Sequence, residues 1–301
     1  MPYTMPDRYP CCFCECFASR LEFVPLLESG SAIAEVSDCE RTPGAGAMLV
    51  SPRAHVETVS RLSEAQAVDL VHLVFRSMNA VYRAMRPNGF HTFCSAGVLV
   101  GQSQAHLHVQ VQPRYDGRPY LFAPAEALPT IPLDERRAMA RRIGRCLESD
   151  RTGSPSLRTI DVPPERLPAA EFGAVLEETP RFSALVHPQS RGFGAMIIVP
   201  RRPVSTFLLL SEAEREDLIL LIVRLCRRIE SVLEPDGLSV WWDTGRAANQ
   251  AYADFIVELV PRFAATPYRH LHRGSLPVRT DDEHLRAASL YRGGILEPVQ
   301  P

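Results

Sequence analysis

Shifted by 148 residues, this chain matches itself without a gap. Gly46 to Leu70 returns as Gly194 to Leu218 with thirteen of the 25 positions identical, among them Gly46, Ala47, Met48, Pro52, Arg53, Val56, Thr58 and the run Leu62-Ser63-Glu64-Ala65. Chance at average residue usage gives roughly one or two. The same shift carries Gly97 to Gly245, Gln102 to Gln250, Val109 to Val257 and Pro113-Arg114 to Pro261-Arg262. The chain is therefore a tandem repeat, and a fold that needs about 250 residues in one undivided domain, such as an α/β barrel, is excluded.

Each copy reads in the same order. An apolar run (Ala47 to Val50, Ala195 to Val199) leads into a Pro-Arg turn, and Ser-Glu-Ala-Gln or Ser-Glu-Ala-Glu then opens a helix. A serine followed three residues later by Gln or Glu satisfies two free backbone N–H groups at once, so Ser63 and Ser211 are expected N-caps. Leu70, Leu73, Val74, Met78 and Val81 recur at helical spacing and make one apolar face. After the Pro87-Asn88-Gly89 turn signal come two strands, Phe90 to Ala96 and the alternating stretch His106 to Gln112. A helix packed on a mostly antiparallel sheet, twice over, is an α+β arrangement.

The copies divide the chain into a first repeat over residues 1–150, a linker over 151–168 dense in Pro, Ser, Thr and Gly, a second repeat over 169–266, and a C-terminal extension over 267–301 that has no counterpart. Leu133 to Leu147 reads as an arginine-rich helix between the copies.

Hydrophobic content of 46% and charged content of 23% are those of an ordinary folded protein. Net charge is −2, which argues against nucleic acid as a partner. All 33 basic residues are arginine, whose planar fork binds phosphate oxygens two at a time. Met1 to Pro10 has no secretory pattern, and apolar runs such as Leu218 to Val223 are too short for a bilayer. A cytoplasmic protein with no membrane partner is expected. In a reducing compartment its eight cysteines are buried thiols or metal ligands rather than disulfides.

Along an extended strand, His106, His108 and Gln110 share one face while Leu107, Val109 and Val111 share the other. Three polar side chains in a row could be a solvated strand face, a pair of metal ligands or a catalytic surface. Cys11 and Cys14 have the gap that lets two thiolates reach one tetrahedral metal, with Cys12 and Cys16 as competitors for that role. Cys39, Cys94, Cys146 and Cys226 read as small buried apolar residues. Trp241 and Trp242 could stack on a base or sugar, and core packing is the expectation for one of them. His270-Leu271-His272 lies outside the repeat register and is not expected to be functional.

Taken together, Cys11-Cys12-Phe13-Cys14, Ser51-Pro52-Arg53-Ala54-His55 and the stretch from Gly97 to Gln110, ending His106-Leu107-His108-Val109-Gln110, resemble the histidine-triad (HIT) superfamily. The resemblance is to its transferase branch, which includes galactose-1-phosphate uridylyltransferases and carries His-x-His-x-Gln where the hydrolases carry His-x-His-x-His. It spans about residues 11 to 265. It implies that His108 is the nucleophile that takes up a nucleoside monophosphate, most simply UMP, from a nucleotide or nucleotide-sugar and hands it to a phosphorylated small-molecule acceptor, a sugar-1-phosphate. A neutral imidazole suits that task, because it attacks phosphorus to give a reactive phosphoramidate. Gln110 would hold the intermediate by its amide N–H, and Ser103 would contact the phosphoryl group unless it is only a turn hydroxyl. The same resemblance puts a structural zinc on Cys11, Cys14, His55 and His106.

Two departures qualify it. Ser95 stands where the family usually has an asparagine that helps hold the nucleotide, and in the second copy Asp254-Phe255-Ile256-Val257-Glu258 replaces His106 to Gln110. Ile256 cannot attack phosphorus, so the second repeat is expected to be catalytically silent, without a metal of its own, completing the sheet and part of the acceptor pocket. Phosphorolysis of a dinucleoside polyphosphate is the nearest alternative. A nucleotide-binding regulatory module is argued against by the intact His108 and Gln110, and plain hydrolysis by the glutamine. A homodimer and an intramolecular pseudo-dimer of the two fused copies are both compatible with the sequence.

Overall fold

The computed structural model describes residues 2–7, 9–38, 46–118, 131–148, 157–167, 174–187, 192–265 and 281–291. Cys39 and His270 to His272 fall outside these, as does the side chain of Cys146. The first repeat contributes α1 (Cys12–Phe17), β1 (Pro25–Glu28), β2 (Ala32–Val36), β3 (Met48–Pro52), α2 (Glu64–Met85), β4 (Gly89–Ala96), β5 (Val109–Arg114) and α3 (Leu133–Glu148). The second contributes β6 (Val175–Glu178), β7 (Phe182–Val186), β8 (Met196–Pro200), α4 (Glu212–Leu233), β9 (Gly237–Thr244) and β10 (Val257–Arg262), followed by α5 (Asp281–Tyr291).

All ten strands join in one antiparallel sheet of order β1-β2-β3-β5-β4-β9-β10-β8-β7-β6. The order is a palindrome, because each strand of the first copy has its counterpart at the mirrored place in the second. The two halves meet where β4 pairs with β9, from Phe90 opposite Thr244 to Ala96 opposite Leu238. Phe93 faces its own counterpart Trp241 at the centre of this seam, so an internal two-fold passes between them.

Local sequence explains why the copies fold alike. Both helices open on a complete capping box: the Ser63 and Ser211 side chains accept from the N–H of Gln66 and Glu214, whose side chains accept from the serine N–H in return. Both end on a left-handed residue, Arg86 and Glu234, with proline next in sequence. Helices α2 and α4 lie together on one face of the sheet, and the main core fills the space beneath them. Leu70 and its counterpart Leu218 are each 1% exposed there, a burial that contributes about 2 kcal/mol per side chain. Helix α3 packs against α2, β1 and β2, and α5 against α4, β6 and β7. No helix among the described residues is long and apolar enough to cross a membrane.

The opposite face carries the polar rows. Residues paired across a ladder point to the same side, so Gln110, Phe93, Trp241 and Glu258 form one row and Gln112, His91 and Asp243 the next. The core face takes Val109, Val111, Val240 and Leu259. Both tryptophans are buried: Trp242 in the main core and Trp241 on the other face against Ala195, Val260 and Phe93.

Candidate active site

His106 to His108 precede β5 rather than belong to it, since the strand begins at Val109. The segment is held by other means. The Leu107 N–H donates to the Val56 carbonyl at 2.6 Å, and the Leu107 side chain is buried in the core. Upstream, the Gln102 amide accepts from the Gly97 N–H at 2.7 Å and donates to the Glu57 carbonyl at 2.9 Å. Gly97 itself has φ 97°, and a Cβ there would stand 2.9 Å from the Asp236 carbonyl, so only glycine makes this turn. The second copy repeats the device with Gly245 and Gln250. The loop that presents the histidines is thus a rigid feature of the repeat.

The structure brings Cys11, Cys14, His55 and His106 together, with one ligand atom from each lying within 4.8 Å of the others. Cys11 is the N-cap of α1 and Cys14 lies in its first turn, so the start of the helix brings both thiols to the cluster. Cys11 Sγ is 3.5 Å from His106 Nδ1, and Cys14 Sγ is 3.3 Å from His55 Nδ1 and 3.7 Å from His106 Nδ1. Sulfur and nitrogen atoms on neighbouring corners of a zinc tetrahedron stand about 3.6 Å apart, given the usual bond lengths. The group can therefore hold one metal ion. His106 is set in the ligating form: its Nε2–H donates to the Pro52 carbonyl at 2.8 Å, which leaves the Nδ1 lone pair facing the cysteines. Burial above all pushes its pKa down to about 4, keeping the ring neutral. Cys12 and Cys16 take no part. Burial above all raises their thiols to about 12 and about 11, and that of Cys14 to about 11 as well, so position and not acidity sets them apart.

His108 is half-buried beside this cluster. Its Nδ1–H donates to the His106 carbonyl at 2.9 Å, so the lone pair lies on Nε2. Burial holds its pKa below the ordinary imidazole range, against the smaller opposing pull of that hydrogen bond. Phe13 lies against both imidazoles, 5.1 Å from each ring centre and nearly stacked on His108. Sequence reasoning passes over Phe13, since a phenylalanine between cysteines reads as core. Gln110, on the same face, accepts at Oε1 from the buried Gln112 amide at 3.3 Å, a bond that leaves its Nε2 as the donor end. Gln112 is the second residue missed, legible only as one more alternate position of the strand. Ser103 lies half-buried in the loop ahead of His106. Cys94 and Cys226 are buried in the core, as expected of apolar thiols.

The corresponding place in the second repeat is filled. Asp254 accepts from Arg166 at 2.7 and 3.2 Å and from the Leu167 N–H at 3.3 Å. The Ala253 N–H donates to the Glu165 carbonyl at 2.6 Å. Ile256 packs with Leu167, Leu185, Ile197 and Val199. Glu258, at the position of Gln110, is buried against His187 Nε2 at 3.0 Å. Residues 165–167 of the connection thus pack against the second copy's counterparts of Ala105, His106 and His108.

Residues 41–117 match the model of the HIT domain. The protein hit of Bacillus subtilis is 29% identical over 105 residues, which is 35% of this chain and 71% of that protein. AP-4-A phosphorylase of Mycobacterium tuberculosis is 27% identical over 104 residues, 33% of this chain, and the match spans only about half of that enzyme, 53%. Over nearly the whole length, the chain superposes on two solved structures from Arabidopsis thaliana. One is an ADP-glucose phosphorylase with bound ADP-glucose (TM-score 0.64, 16% identity, 97% of this chain and 92% of that one). The other is a galt-like protein (TM-score 0.62, 15% identity, 98% and 93%). Residues 41–117 thus carry the match to the HIT domain, and the chain as a whole shares the fold of the galt-like structure.

Proposed function

We propose that this HIT-domain protein is a nucleotidyltransferase that works through a nucleotidyl-His108 intermediate. One observation carries the reading. His108 has its Nδ1–H committed to the His106 carbonyl and its pKa lowered, and Gln110 on the same face has its Oε1 engaged and its Nε2 as the donor end, so a neutral nucleophile shares its face with a hydrogen-bond donor and no acid. His108 Nε2 attacks the α-phosphorus of the donor; the P–N bond forms as the P–O bond to the departing phosphate breaks. The positive charge that develops on the imidazole is stabilised by the His106 carbonyl at Nδ1–H. A phosphate is a good leaving group without protonation, so an amide at position 110 suffices where expulsion of a poorer one would need an acid. A phosphate oxygen of the acceptor then attacks the same phosphorus and returns the electron pair to Nε2. Release before the second substrate gives ping-pong kinetics.

The group transferred is inferred to be uridylyl, and the acceptor a sugar-1-phosphate. The galt-like fold supports this class, and the ADP-glucose seen in one structural neighbour makes an adenylyl donor the first competitor. Phosphorolysis of dinucleoside polyphosphates is the second, supported by the local likeness to AP-4-A phosphorylase. Zinc fits the metal cluster best, since two thiolates and two imidazoles in a tetrahedron are a soft, closed donor set. Bound there, it would act structurally, tying α1 and the His55 turn to the loop that presents His108.

The test is covalent capture. The protein is incubated with UDP-glucose, ADP-glucose and a dinucleoside tetraphosphate, each labelled at the α-phosphorus, and stopped in alkali. An acid-labile label that disappears in His108→Ala is expected, and the donor that labels fastest identifies the nucleotide. Wild type that takes up no label from any donor refutes the covalent mechanism.

A further inference from the structure

The internal two-fold supplies a control at the seam between the repeats. On one side of Phe93 and Trp241, Ser95 lies opposite Ser239; on the other, His91 lies opposite Asp243. These pairs are counterparts under the 148-residue shift, Ser95 matching Asp243 and His91 matching Ser239. Two serines satisfy the fold at this place, so the histidine–aspartate pair at its mate is not demanded by strand pairing.

The pair is built and reachable. His91 Nδ1 lies 2.5 Å from Asp243 Oδ1, and each side chain keeps 20% of its surface open. The His91 ring packs on Phe93 with centres 4.9 Å apart. Asp243 spends one oxygen on His91, and its second carries no hydrogen bond among the described residues. Both side chains are on the His108–Gln110 face, with His91 directly opposite Gln112, the residue that holds Gln110. Asp243 lies four residues along and two strands across from His108, about 16 Å between backbones, a span shared by the two side chains and a diphosphate-linked sugar ring between them. A carboxylate oxygen in such a place accepts from hydroxyl groups, and a nearby aromatic ring offers an apolar face to sugar C–H groups.

We propose that Asp243, contributed by the silent repeat and oriented by His91 of the live one, binds hydroxyls of the sugar in the sugar-phosphate substrate and so sets its specificity. The proposal rests on the transferase reading for its choice of ligand and gives the silent repeat a direct part in the site.

Glucose 1-phosphate, galactose 1-phosphate and inorganic phosphate are titrated calorimetrically into the full chain, wild type, Asp243→Asn and Ser239→Ala. Loss of a charge-assisted hydrogen bond weakens the preferred sugar phosphate by roughly 10- to 100-fold in Asp243→Asn. Inorganic phosphate, which has no sugar, is expected to bind wild type and Asp243→Asn alike, and Ser239→Ala to match wild type throughout. Unchanged sugar-phosphate affinity in Asp243→Asn, an equal loss for inorganic phosphate, or wild type that binds neither sugar phosphate overturns the assignment. Labelling of His108 is read separately: its absence removes the proposed reaction, while the titration still decides the subsite.

Discussion

Stripping the metal from the Cys11, Cys14, His55 and His106 cluster should cost the fold a defined amount. The cluster joins three pieces of chain that are far apart in sequence, with Cys14 and His55 separated by 41 residues and Cys14 and His106 by 92. A cross-link that closes a loop of that first length stabilises by about 4 kcal/mol in the chain-entropy account. A second, independent loop adds a comparable amount. For a chain of this size the unfolding entropy is about 0.6 kcal/mol/K, so each loop is worth about 6 °C in melting temperature and both about 12 °C, less whatever affinity the unfolded cysteines retain. Calorimetric melting with and without a chelator, with metal content measured on the same samples, reads this directly. Complete removal of metal with a shift under about 2 °C would refute the cross-linking argument, and metal content under about half an equivalent, indifferent to Cys14→Ala, would refute the site itself.

Gln112→Leu should leave Gln110 free to rotate its amide and slow the labelling of His108 by roughly 2- to 10-fold, the worth of one neutral hydrogen bond; an unchanged rate would show that Gln110 needs no such hold. The pKa of His108 is lowered, so its neutral form dominates above the ordinary imidazole range: labelling should be flat from about pH 7 to 8 and fall only on acidification below about 6.5. A rate already falling between those upper values would contradict the burial argument. In the second capping box, Arg202 above all lowers Glu214 to about 2, so this contribution is present above the ordinary carboxylate range and lost as pH falls toward that value. Glu214→Gln reproduces the Gln66 box of the first repeat and loses only the ion pair to a half-exposed arginine, so a chemical-denaturation series should show less than about 1 kcal/mol at neutral pH, vanishing in acid.

Much of this was legible because the chain states it twice. The capping boxes, the turn glycines and the apolar faces of α2 and α4 recur at one offset, and recurrence separates a structural requirement from accident. The metal cluster was legible only as residue types in a known pattern: periodicity could not choose Cys14 over Cys12 or Cys16, because that choice depends on which way α1 faces. The continuous sheet could not be read either, since Phe93 opposite Trp241 is a pairing across 148 residues and leaves no local signature. His91 with Asp243 and His187 with Glu258 were invisible for the same reason. The start of β5 was misplaced by alternation, which continues through His106 and His108 while the backbone there follows the Val56 carbonyl instead of a neighbouring strand.

The three residues Glu165 to Leu167 are seated against Ala253, Asp254 and Ile256, the second copy's counterparts of Ala105, His106 and His108. Writing histidine at position 256 would add a side chain and not a site, because Leu167 packs there and anchors the span between the halves. Clearing that place would require moving the span first, with loss of the Ala253 and Asp254 contacts that fix it. Asymmetry between the two repeats is therefore held by the connection that joins them.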